Sequence, residues 1–320
     1  MSVTAAPAPV LSPSARKAGM ACAVVGAIAF SGKAIIVKLA YRYGVDAVTL
    51  IMYRMLFALP LFVVMAWWAG RGKPALSLRD WLGSAALGFS GYYLASFLDF
   101  AGLTYITAGL ERLILYLNPT LVLALGWLLY RKKATRRQLQ GLAISYAGVM
   151  LVFGVEALGH GAAGAGGGKV WWGATLVFAS AVSYAIYLVY SAQFVQRMGA
   201  LRLVGLATSF ACLFCIVQFL LVRPLSAAQV AMPVIWLSVL NATVCTALPV
   251  LLVMLAIERL GAATVAQTGM IGPLSTILMG VWLLGEALTP VMVAGTALVL
   301  VGIYVFTHQT KSIKKTAAGD

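Results

Sequence analysis

Five ionisable side chains fall inside stretches of sequence that are otherwise apolar: Lys33, Arg54, Asp99, Glu111 and Arg112. At the centre of a bilayer each costs roughly 2.5–3.5 kcal/mol or more, so each needs a partner or a task. Three cations against two carboxylates leave one positive charge over. Such a set admits several readings. It can be an ion network that ties helices together or closes a gate. It can receive a substrate carboxylate on the unpaired cation, or carry protons on Asp99 or Glu111. Lys33 and Arg54 can also snorkel to the nearer surface. Glu111 and Arg112 are adjacent, face different directions on a helix, and must each look to another helix.

Polar residues recur at helical spacing around these charges. Tyr92, Ser96 and Asp99 form one stripe, and Arg112, Tyr116 and Pro119 another. Ser180, Ser183, Tyr184, Tyr187 and Ser191 hold one face over three turns, while Asn241, Thr243 and Thr246 and then Thr264, Gln267 and Thr268 extend the pattern. Small polar residues also pack membrane helices together, but Tyr184 and Tyr187 are bulky for that and read equally as cavity lining. Pro119, Pro249 and Pro273 free mid-helix carbonyls, which bends helices or offers acceptors to a substrate. The sequence contains no H-E-x-x-H, G-x-S-x-G or paired-carboxylate motif. Its two histidines, His160 and His308, lie at or beyond the ends of the apolar stretches. No catalytic group, metal site or cofactor is expected. Cys212 and Cys215 form a C-x-x-C inside an apolar helix and read as small core residues.

The elements that carry these groups follow from composition. Of 320 residues, 62% are apolar and 10% charged, against about half and a quarter in a soluble domain. A mean hydropathy of +0.97 makes lipid the solvent. That excludes a soluble enzyme, a disordered chain and a disulfide scaffold. A span needs roughly 20 mostly apolar residues. Ten are expected: 18–39, 47–69, 81–102, 105–130, 137–155, 171–191, 203–222, 230–256, 262–284 and 289–308. The first is too long for a signal-peptide core and reads as an uncleaved span. At about 1.5 Å per residue the five charges lie in one layer, about 5–10 Å below one membrane face.

The net charge of +15 is scattered between apolar runs, so nucleic acid is not an expected partner. With the N-terminus inside, sixteen basic residues fall in cytoplasmic segments and four outside. That asymmetry places both termini in the cytoplasm.

An internal repeat appears at an offset of 154 residues. Pro119, Gly126, Leu129, Thr135, Gly141, Ala143 and Gly148 match Pro273, Gly280, Leu283, Thr289, Gly295, Ala297 and Gly302. The expected organisation is an N-terminal tail (1–17), a five-span half (18–156), a Gly-rich flexible linker (157–170), a second half (171–308) and a basic tail (309–320). An odd number of spans per half inverts the second relative to the first. Inverted halves are the architecture of secondary transporters, with the binding site near mid-membrane.

The segment Ala108-Gly109-Leu110-Glu111-Arg112-Leu113 through Pro119, Gly141 and Gly148 resembles the first repeat of an EamA-type transporter. Pro273 through Gly285-Glu286, Gly295 and Gly302 resembles the second. Such proteins belong to the drug/metabolite transporter superfamily. The resemblance implies an all-helical fold of ten transmembrane helices and a cavity lined by spans 1, 3, 4, 6, 8 and 9. It also implies export or exchange of small metabolites, often amino acids, across the bacterial inner membrane. The sequence departs from the pattern at Arg131-Lys132, where Gly-Glu is usual, and at the charged Glu111-Arg112 pair. The expected function is secondary transport of a small polar or zwitterionic, amino-acid-like metabolite, with protons and lipid as further partners. One chain suffices for the cavity, and a dimer is compatible with it. An importer or a broad-specificity drug exporter is the alternative. A channel or an intramembrane enzyme would be a different class.

Overall fold

The computed structural model describes residues 13–130, 136–159, 165–260, 265, 268, 269 and 271–316. Among them the chain is helical throughout, with no strand. The helices are α1 (Pro13–Tyr41), α2 (Ala47–Gly70), α3 (Leu78–Gly88), α4 (Ala95–Leu103), α5 (Ala108–Leu115), α6 (Asn118–Tyr130) and α7 (Arg136–Gly159). There follow α8 (Ala165–Met198), α9 (Ala200–Val222), α10 (Met232–Ala242), α11 (Leu248–Leu260), α12 (Ile271–Met279) and α13 (Pro290–Thr316). Seven helical stretches are long and apolar enough to cross a membrane, and Ile271–Leu284 and Pro290–Val305 are shorter apolar ones. Their outer surface is greasy: Leu221 is 80% and Trp282 82% exposed. That surface suits lipid, not water.

Three wider π-helical turns interrupt the helices: Phe89–Leu94 joins α3 to α4, Thr243–Ala247 joins α10 to α11, and Gly280–Leu284 continues α12. Sequence periodicity carries no signal for these. Helix starts set by side-chain caps are clear. Asp46 accepts from the Val48 and Thr49 amides, Ser77 and Asp80 form a capping box, and Thr107 accepts from the Leu110 amide. Each satisfies amides that a helix start leaves unpaired.

The repeat is structural as well as sequential. Elements begin 153 or 154 residues apart in the two halves: Ala47 and Ala200, Leu78 and Met232, Phe89 and Thr243, Arg136 and Pro290. The residues expected in the linker are helical from Ala165 onward, so α8 is longer than expected at that end. His160 and the Arg131–Thr135 stretch lie outside the described residues.

The halves pack helix against helix, and each pair is antiparallel. Along α2 and α9, Ala66 meets Gly205 and Met55 meets Cys212. Along α1 and α11, Gly19 meets Leu260 and Gly26 meets Val253. Gly83, Gly91 and Gly102, on the α3–α4 stretch, meet Phe194, Tyr187 and Val177 of α8. Along α7 and α13, Gly148 meets Gly295 and Gly302 meets Gly141. Exchanging each residue for its counterpart 154 positions away turns the Gly148–Gly295 contact into Gly302–Gly141. The α7–α13 seam is therefore symmetric, and its equivalent helices run in opposite directions.

That seam depends on missing side chains. A Cβ on Gly148 would lie 2.5 Å from the Gly295 carbonyl oxygen, and a Cβ on Gly295 2.7 Å from that of Gly148. Small residues let membrane helices approach to backbone contact. Gly148→Leu is therefore expected to lower the thermal unfolding midpoint of the detergent-purified protein, by overpacking worth about 1–3 kcal/mol. Met150→Leu on the exposed side of the same helix is expected to leave it unchanged.

Candidate functional site

A cavity of about 600 Å³ lies between the halves. Lys33, Arg54, Tyr92, Ser96, Asp99, Arg112, Tyr116, Pro119, Ser180, Tyr184 and Thr246 line it, so eleven of the residues singled out from sequence meet around one space. It extends from the layer of charges along α1 toward Ala23, along α11 toward Met254, and to Val265. Its walls include Arg54 and Phe62 of α2 and Val204 of α9, helices outside the six expected.

Lys33 is the centre of the charge layer. Its Nζ lies 2.5 Å from Asp99 Oδ2 and 3.6 Å from Glu111 Oε1. One ammonium thus serves two buried carboxylates. Glu111 is fully buried behind the cavity wall, and neither of its oxygens makes a hydrogen bond among the described residues. Arg112 approaches Glu111 only to 4.0 Å, without a hydrogen bond, as their adjacency on one helix requires. Its guanidinium is spent elsewhere: Nη2 donates to the Phe30 carbonyl at 3.0 Å and Nε to Thr276 Oγ1 at 3.1 Å. Arg112 therefore links α5 to α1 and α12.

Arg54 stands apart from these pairs. Its Nε donates to Thr246 Oγ1 at 3.2 Å, and the guanidinium lies over the Phe100 ring, 5.2 Å from the centroid. Thr246 is held in turn by the Asn241 carbonyl at 2.8 Å. No described carboxylate lies within ion-pair distance of Arg54, and its buried Nη1 has no hydrogen-bond partner among the described residues.

The remaining expected site residues divide. Tyr187 sits behind Tyr92, the two hydroxyls 3.2 Å apart, and does not line the cavity. Asn241 is buried behind Thr246 and also lies off the cavity. Pro249 and Pro273 lie off it as well, and Gln267 and Thr264 lie outside the described residues. Within the α8 stripe, Ser180 and Ser183 donate to the Ala95 and Ser90 carbonyls at 2.7 and 2.8 Å. Most of that stripe binds α8 to the α3–α4 segment, and Ser180 and Tyr184 alone of it reach the cavity. Cys212 and Cys215 are buried core residues, as expected.

Sequence reasoning passed over Ser31, Cys245 and Thr276. Ser31 and Cys245 line the cavity, while Ser31 Oγ also donates to the Gly272 carbonyl at 3.0 Å across the halves. Small residues in apolar helices carry no signal of this kind.

The two repeat-equivalent prolines explain a pair of cavity hydrogen bonds. Pro119 has no N–H for the Leu115 carbonyl four residues back, and Asn118 Nδ2 donates to that oxygen at 2.8 Å. Pro273 likewise has no N–H for the Gly269 carbonyl, which accepts from the Gly272 amide at 2.9 Å and from the Tyr116 hydroxyl at 2.5 Å. Leu115 and Gly269 both line the cavity.

Contacts between the halves join the helix ends on one side of the cavity. Glu286 Oε1 accepts from the Ala108 amide at the start of α5 at 2.9 Å, and Arg42 donates to the Leu284 carbonyl at 2.7 Å. Arg223 pairs with Asp46 at 3.1 Å. Partial burial alone would raise the Asp46 carboxyl. The Thr49 hydroxyl and amide, with Arg223, outweigh it and hold the group below the usual carboxylate range. At the opposite end Lys73 donates to the Met198 carbonyl, and Arg197 pairs with Asp80 at 3.2 Å.

The EamA-like transporter family matches residues 17–154 and again 171–307. The chain belongs to the EamA-like transporter family. It is accordingly a multi-pass membrane protein of two EamA repeats and a member of the drug/metabolite transporter superfamily. It is 28% identical over 283 residues to the uncharacterized transporter YcbK of Bacillus subtilis (strain 168), covering 87% of this chain and 89% of that one. It is 28% identical over 218 residues to the uncharacterized transporter YvbV of the same organism, covering 68% and 69%. A protein of known crystal structure shares its fold, with a TM-score of 0.60 at 18% identity, covering 93% of this chain and 99% of that one.

The proline arrangement yields a test. Asn118→Leu removes the donor to the Leu115 carbonyl and is expected to cost about 1–3 kcal/mol in thermal unfolding of the purified protein. Asn118→Leu combined with Pro119→Ala restores a backbone N–H to that oxygen and is expected to recover most of the loss. No recovery would show that the Asn118 contact is incidental.

Proposed function

We propose that the chain is a secondary active transporter of a small polar or zwitterionic, amino-acid-like metabolite, working by alternating access. On this reading ten spans form two inverted five-span halves, residues 18–156 and 171–308. Export or exchange across the bacterial inner membrane is the direction that fits best. Both termini face the cytoplasm, because the sixteen-to-four distribution of basic residues puts the Lys73 end inside.

The observation that carries the reading is the pairing of the halves around one cavity. The α7–α13 seam maps onto itself when the halves exchange roles, and the flanking pairs are likewise antiparallel. If each half adopts the other's conformation, the end now joined by Glu286–Ala108 and Arg42–Leu284 opens and the opposite end closes. A site placed between the halves then faces each side in turn. The family assignment and the relatives named as transporters support the same class.

Asp99 and Glu111 are the candidate proton carriers. Two buried carboxylates share Lys33, and a proton on either one leaves a single carboxylate for that ammonium. The exchange of Lys33 between them would link protonation to the position of α1 against α4 and α5.

Counterflow in proteoliposomes tests the function. Vesicles are preloaded in turn with unlabelled amino acids, nucleosides or organic cations, and uptake of the labelled compound is followed with and without a pH gradient. Trans-acceleration confined to one solute class is expected, and Asp99→Asn combined with Glu111→Gln is expected to abolish its response to the pH gradient. Steady ion current without counterflow of any solute would overturn the transporter reading.

A further inference from the structure

We propose that Arg54 is the receptor for a carboxylate of the transported solute, so that the solutes carried are acids or zwitterions and not amines or neutral molecules. The proposal rests on the transporter reading above and names the substrate class of that cavity.

Three observations converge on it. First, Arg54 is 6% exposed and lines the cavity, so its charge lies out of bulk solvent and next to the space between the halves. Second, no described carboxylate lies within ion-pair distance of it. Lys33 pairs with Asp99, while Arg112 reaches Glu111 at 4.0 Å and also donates to the Phe30 carbonyl and the Thr276 hydroxyl. The surplus positive charge of the layer therefore resides at Arg54. Third, the guanidinium is fixed but unfinished: Nε is tied to Thr246 and the planar face rests on Phe100, yet Nη1 is buried without a hydrogen bond.

A buried cation normally carries its own counter-ion, because an uncompensated charge is strongly unfavourable. A guanidinium anchored at Nε with Nη1 unpaired keeps donor capacity for a carboxylate, which a guanidinium fork can bind through two parallel N–H groups. A cavity of about 600 Å³ fits a solute of metabolite size there. Binding energy from this pair is realised only when solute is present, which is what a carrier needs to distinguish loaded from empty states.

Cys245 gives a reporter that does not depend on knowing the solute. It is the neighbour of Thr246, and it lines the same cavity. In detergent-purified protein carrying Cys22→Ala, Cys212→Ala and Cys215→Ala, two thiol reagents are compared: a methanethiosulfonate bearing a sulfonate and one bearing a trimethylammonium. Arg54 is expected to favour the anionic reagent at Cys245 by about tenfold or more, as a fixed charge in a cleft does. Arg54→Gln is expected to remove the preference and Arg54→Lys to keep it. Equal rates with Arg54 in place, or no modification by either reagent, would overturn the assignment.

A second arm uses counterflow of amino acids against their amides and the corresponding amines. Acids are expected to exchange, amides and amines to fail, and Arg54→Gln to raise the half-saturating acid concentration by about tenfold or more. If amines exchange as well as acids, or Arg54→Gln leaves acid exchange unchanged, the Arg54 assignment falls while the transporter reading stands. If nothing exchanges, the transporter reading falls and the reagent preference alone decides on Arg54.

Discussion

Charge inside hydrocarbon must be satisfied by the protein itself, and that constraint organises this molecule. Lys33 cannot be removed from between Asp99 and Glu111 without leaving Asp99 with no described cation within 4 Å and Glu111 with Arg112 alone. Arg112 completes its donors only by reaching a carbonyl of α1 and a hydroxyl of α12. The side chains that fill the cavity wall are thus the ones that hold helices of both halves in register. Arg54 is the exception, anchored by a hydroxyl and an aromatic face and left without an anion.

The backbone contributes acceptors in the same place. Prolines at equivalent positions of the two halves each withhold an N–H from a carbonyl on the cavity wall, and each of these carbonyls accepts from a side chain of α6 or of the turn before it. The π-helical turns at Phe89 and Thr243 are also repeat equivalents, and both lie beside the cavity. Insertions of this kind in membrane helices re-aim side chains without exposing unpaired backbone to lipid. Thr246, which positions Arg54, lies within the second of them. The structure therefore breaks helical regularity at matching points of both halves, where the charges gather.

Much of this was legible in the sequence, and the parts that were not have physical reasons. Apolar runs and glycine and proline spacing revealed the repeat and most helix positions, because lipid enforces composition strongly. The charge layer was legible because an ionisable residue in an apolar run is conspicuous. The division of labour within it was not, since which carboxylate Lys33 meets depends on helix rotation. Tyr187 and Asn241 shared helical faces with cavity residues but ended one layer behind them, as periodicity gives direction and not depth. Ser31 and Cys245 gave no signal at all, being small residues whose role comes from what passes in front of them. The α8 serines illustrate the other side: most of that polar stripe serves helix packing.

The central claim is that the charge of Lys33 is compensated within the protein while that of Arg54 is kept for a ligand. The most direct measurement compares the thermal unfolding midpoints of Lys33→Met and Arg54→Met, purified without solute in the same detergent. Removing Lys33 strips Asp99 and Glu111 of their shared cation and is expected to destabilise by about 3–5 kcal/mol. Removing Arg54 deletes an uncompensated buried charge and is expected to raise the midpoint, the usual direction when a functional residue is traded for a stable one. Equal losses for the two variants would contradict the claim, because Arg54 would then be holding the structure together as Lys33 does.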